Sequence, residues 1–152
     1  MVKKIVTLFT LLLLITGCYE LSEIQTSEQS GDIYFSVSKN VLESRNADSY
    51  VLSDLSVAKD DCDKDCVIWT IVKKTDNNQP ATQNINTLPV KYGVVLKDMK
   101  VTVMPLELSP GKYTVAATVG YVNKGKIVGG GLVHGRFELF HNQNDSSLAL
   151  KK

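Results

Sequence analysis

The stretch Leu108-Ser109-Pro110-Gly111-Lys112-Tyr113, continued by Val115, Ala117, Val119 and Tyr121 at alternate positions, decides the fold. Pro110-Gly111 marks a turn, and the apolar residues after it recur at every second position, which is the period of a strand with one buried face. Working outward, Asn123-Lys124-Gly125 reads as a turn that returns the chain through Ile127 and Val128, and Val133 to Phe140 reads as the last strand. Between them Gly129-Gly130-Gly131 reads as a hairpin or bulge. A phosphate cradle would need a following Lys-Ser or Lys-Thr and a helix, and neither is present.

Upstream the same period holds. Ile33, Phe35 and Val37 share one face of a first strand, and Tyr50 to Ala58 gives a second with Leu55 and Val57 inward. Cys66 to Lys74 gives a third, in which Trp69 sits between Val67 and Ile71. Asp76-Asn77-Asn78-Gln79-Pro80 breaks that strand, and the polar stretch to Thr87 reads as a long loop. Leu88 to Leu96 and Met99 to Met104 are two more extended segments, and no segment carries a helical stripe.

About seven or eight short strands in residues 32–141 predict an all-β fold, an antiparallel two-sheet sandwich. The Leu-x-Pro-Gly-x-Tyr sequence at 108–113 resembles the corner that precedes a late strand in immunoglobulin-like and fibronectin-type domains. That resemblance implies that the Tyr113 hydroxyl bonds back to nearby backbone and that Trp69 is the large core residue of the opposite sheet.

The N-terminus sets the compartment. Met1-Val2-Lys3-Lys4 precedes an uncharged apolar run from Ile5 to Ile15, and the run closes on Ile15-Thr16-Gly17-Cys18. This resembles a bacterial lipoprotein signal with its lipobox, so residues 1–17 would be removed and Cys18 lipidated. The apolar run is too short to span a bilayer, which takes about 20 residues. Acyl chains on Cys18 would tether the protein to a membrane, with about 0.8 kcal/mol from each buried methylene. Tyr19 after the cysteine favours outer-membrane sorting under the enterobacterial rule. Residues 18–31, poor in large apolar groups, read as the lipidated cysteine and a flexible tether, and 142–152 as a polar tail.

Removing residues 1–17 takes away Lys3 and Lys4 and no acid, so 17 basic and 16 acidic residues become 15 and 16. No basic face points to nucleic acid. With Cys18 assigned to lipid, Cys62 and Cys66 remain as an even pair outside the cytoplasm, and a disulfide between them is expected. A metal site would need two more ligands, and His134 and His141 lie far away in the chain. The Cys-x-x-x-Cys spacing without a βαβ pattern argues against thioredoxin-like chemistry.

Asp60, Asp61, Asp63 and Asp65 invite a calcium-loop reading. Counted from Asp61, however, the sixth position is Cys66 instead of Gly and the twelfth is Val72 instead of Glu. A solvated acidic loop is the simpler reading. Neither histidine has a Ser or Cys in a nucleophile-like setting, and no pair of carboxylates stands out. No catalytic residues and no cofactor are expected.

Taken together, Ile15 to Cys18, the Cys62 to Cys66 pair leading into Val67-Ile68-Trp69, Leu88-Pro89-Val90-Lys91-Tyr92-Gly93 and the 108–113 corner resemble a family of small enterobacterial-type periplasmic lipoproteins described as type VI secretion immunity proteins. The resemblance covers most of the domain and implies a non-catalytic protein that neutralises an incoming toxin. It transfers no functional residues. Candidate contact elements are the acidic loop Asp60 to Asp65, the loop Thr75 to Thr87 and the hairpin Asn123 to Leu132. A structural or assembly accessory lipoprotein of an envelope complex is the alternative reading.

Overall fold

The computed structural model describes residues 22–64, 66–74, 89–143 and 147–151. The signal segment 1–17, Cys18, residues 19–21, Asp65 and the loop Thr75 to Thr87 lie outside the described residues.

The chain folds as an antiparallel β-sandwich. Its elements are β1 (Ile24–Gln29), β2 (Asp32–Val37), α1 (Lys39–Ser44), β3 (Ser49–Lys59), β4 (Val67–Lys73), β5 (Val90–Lys91), β6 (Met99–Val103), β7 (Gly111–Asn123), β8 (Lys126–His141) and β9 (Leu148–Leu150). A three-stranded sheet, ordered β1-β2-β5, packs on a six-stranded sheet, ordered β6-β4-β3-β7-β8-β9. Nine strands are described, where the sequence predicted seven or eight.

The inward faces follow the predicted period. Ile33, Phe35 and Val37 of the small sheet are buried, as are Leu55, Val57, Val115, Ala117, Val119 and Tyr121 of the large one. Each buried Val, Leu, Ile or Phe side chain among them contributes about 1.5–3 kcal/mol. Phe137 joins the two layers: its ring stacks on Tyr113 at 5.0 Å and meets Phe35 of the facing sheet at 5.5 Å. The tyrosine corner is formed, with the Tyr113 hydroxyl donating to Ser109 O at 2.6 Å and accepting from Ser109 N at 3.2 Å.

Four expectations are corrected. Residues 24–29 are not tether but an edge strand: Ile24 is buried, and β1 pairs with β2 along its whole length. The tail is not wholly irregular, because β9 pairs with Leu139 to His141. Trp69 does not oppose Tyr113 across the core, since β4 and β7 flank β3 within one sheet, and Val57 lies opposite both Trp69 and Val115. Finally, residues 39–44 form a helix capped by Ser38, whose hydroxyl accepts from Val41 N. Only Val41 and Leu42 reach the core, too few to mark a stripe.

The two layers meet most closely where the chain enters β1. Glu23 N donates to His134 O at 2.9 Å, so the chain entering β1 crosses β8 beside Gly135. A Cβ on Gly135 would overlap Ile24 O and approach Ser22 Oγ to 2.7 Å. Only glycine allows this crossing.

Candidate functional site

The most distinctive surface lies at the β4–β6 edge of the sandwich and is built around Tyr92. β5 ends at Lys91, and the chain turns through Tyr92-Gly93, with Gly93 at φ 77° and Val94 N bonded to Lys91 O at 3.2 Å. The Tyr92 ring meets the edge of Trp69, ring centroids 5.1 Å apart and planes at 65°. Its hydroxyl donates to Leu106 O at 2.8 Å, and Leu106 N donates to Ile68 O at 3.1 Å. Two hydrogen bonds thus pin the segment after β6 to the body of the domain.

What these bonds hold outward is apolar. Met104 is 72% exposed and Leu106 58%, beside the exposed Val94 and Val95 on the Tyr92 turn. A Cβ on Gly93 would lie 3.7 Å from Pro105 Cβ, so the two segments are neighbours. Val67 is exposed next to Ile68 and adds to this edge. Burial pushes the Tyr92 phenol up to about 12, with the Tyr113 phenol adding to the rise and a hydrogen bond from the Leu106 backbone opposing it. Below it, Trp69 Nε1 is buried without a hydrogen-bond partner. These residues supply a fixed apolar surface with no reactive group, which suits binding.

The predicted site residues are spread over other parts of the molecule. Cys62 and Cys66, the pair expected to form a disulfide, lie within one loop turn, with Cys62 Sγ 2.6 Å from Lys64 O and Cys66 Sγ 3.0 Å from Cys62 O. In the acidic loop Asp61 and Asp63 are exposed, while Asp60 accepts from Thr114 Oγ1 at 2.7 Å. Among the described residues no group of three or more His, Cys, Asp and Glu could hold a metal ion.

The hairpin Asn123 to Leu132 turns at Lys124 and Gly125, both at positive φ, and exposes Ile127, Val128 and Leu132. Its tip is tied down by Asp48, which accepts from Ser49 Oγ at 2.7 Å and from Lys124 N at 2.9 Å. The bond from Ser49, then that from Lys124, holds the Asp48 carboxyl below the usual range. His134 faces Glu23, Nδ1 to Oε2 3.3 Å, where β1 crosses, and His141 is exposed at the end of β8.

An open groove of about 820 Å³ separates β1 from β8 and β9 and is lined in part by Ile24, Thr26, Glu28, Arg136, Phe137 and Lys151. Its charges are mixed, and Lys151 is already paired with Glu138 at 3.2 Å. The sequence does not single out the Tyr92 patch. The one signal it offers is Met104-Pro105-Leu106, apolar residues around a proline that ends the strand and leaves its neighbours exposed. Among family models, curated proteins and solved structures, none matches this chain.

Proposed function

We propose that this chain is a lipid-tethered, periplasm-facing protein-binding module of the immunity type, which neutralises a type VI secretion toxin by docking it on the Tyr92 patch. The observation that carries the reading is the outward display of Met104 and Leu106 on a segment fixed by the Tyr92 and Ile68 hydrogen bonds. A pre-positioned apolar surface loses little entropy on binding, and a few such side chains carry most of the energy of an interface. Cys18 supplies the membrane address, and oxidation of Cys62 and Cys66 would stiffen the loop leading into β4.

The test is protection. A strain lacking the gene is expected to be killed by sister cells, and the wild-type gene restores survival. The double variant M104S/L106S, altered only at exposed positions, stays folded and binds toxin at least about tenfold more weakly. Survival of the deletion strain, or full protection by the double variant, contradicts the proposal. An adjacent toxin gene supports it, whereas co-purification with envelope-assembly components contradicts it.

A further inference from the structure

The β8 edge on the far side from β7 carries an inference independent of toxin binding. His134 bonds outward through both backbone groups, its O to Glu23 N and its N to the Glu23 carboxylate at 3.2 Å. Groups on one side of a strand alternate, so Gly130 and Leu132 direct their N–H and C=O to the same edge. Among the described residues, pairing on that edge is confined to His134 with Glu23 and to the Glu138–His141 end with β9 and Lys151. Gly130 and Leu132 therefore form a short unpaired edge. It is bounded on one side by Glu23 and on the other by the register shift where Val128 is bulged out between Ile127 and Gly129.

We infer that two copies of the chain join along this edge, β8 to β8, antiparallel, with the two-fold axis at Gly131. In that register Gly130 and Leu132 of one copy pair with Leu132 and Gly130 of the other, and both pairs exchange two backbone bonds. Each exposed leucine then lies opposite a glycine, so the large side chain fills the space the glycine leaves. The ends are complementary in charge. Every copy carries Lys124 and Lys126 at the turn end of the edge and Glu23 at the other. Antiparallel pairing brings the lysines of each copy toward the partner's Glu23. A second copy is the one occupant that meets both ends by symmetry. The paired edge is short, so the dimer is weak and concentration-dependent.

Gly131 gives a direct test, because a Cβ there meets nothing within 4 Å. At the axis it is a non-hydrogen-bonded pair, with Cα atoms about 4.5 Å apart, within the reach of a disulfide. The full chain carrying G131C, oxidised in detergent or in membranes, is expected to form a covalent homodimer at least about tenfold more abundantly than K112C, an exposed position away from the axis. The wild-type chain, with the same native cysteines, sets the background. K126E in the G131C chain lowers the yield through repulsion from Glu23. Crosslinking of G131C no greater than that of K112C, capture of a different protein in place of a second copy, or an undiminished yield in K126E overturns the inference. Sedimentation of the wild-type chain gives an independent reading: mass rising with concentration supports the dimer, and a monomer at all concentrations overturns it.

Discussion

The two halves of β8 are paired alike but buried differently. From Val133 to Leu139 alternate residues face the core, whereas every residue from Lys126 to Leu132 is exposed. Both halves run along β7 in one ladder, so backbone hydrogen bonding does not distinguish them. The layer above does. β1 crosses at Gly135 and covers the half that begins at Val133, and the small sheet leaves the other half bare. In a sandwich of unequal sheets the smaller one sets the extent of the core, and the overhang of the larger stays exposed.

The contrast can be broken most strongly at the crossing. Gly135→Leu places a side chain where Ile24 O and Ser22 lie, and is expected to displace β1 and cost about 3 kcal/mol in denaturant unfolding. A loss under about 1 kcal/mol would mean that β1 is not the layer that buries the second half. Within the covered half, Tyr113→Phe keeps the stack on Phe137 but removes the hydroxyl that bonds to Ser109 O. It is expected to cost about 1–2 kcal/mol, measurable by thermal or urea unfolding.

Legibility in the sequence divides the same way. Strands with a dense apolar face, such as β7 with Val115, Ala117, Val119 and Tyr121, announce themselves, and so does the corner at Tyr113. β1 does not, because Thr26, Ser27, Glu28 and Gln29 are polar and Ile24 alone is buried; its order comes from β2, a tertiary partner. β9 is too short to show a period, and the three glycines of β8 conceal a continuous strand. The Tyr92 patch depends on a hydrogen bond to Leu106 that spans fourteen positions, which local pattern does not encode.

Smaller effects sharpen the contrast. Tyr92 sits at the opposite edge, and its raised phenol pKa makes it a reporter of burial there. The folded value lies above the unfolded one, near about 10, so its contribution is complete below that pH and is lost as pH rises toward about 12. Burial also raises the Tyr50 phenol, so ultraviolet titration should show more than one late phenol, of which Tyr92→Phe removes one; loss of no late phenol in that variant would mean that the Trp69 contact is open. In the bare half of β8, Gly131→Ala is expected to change stability by no more than about 0.5 kcal/mol. A larger loss would show that something covers that half within the monomer.

Residue-resolved hydrogen exchange of β8, run at low and at high protein concentration, tests the division of this strand most directly. The amides of Gly130 and Leu132 should exchange rapidly in dilute protein and become protected as concentration rises, while the amides facing β7 stay protected throughout. Protection of Gly130 and Leu132 that is already complete in dilute protein, or that never appears, would contradict an open edge that pairs with a second copy.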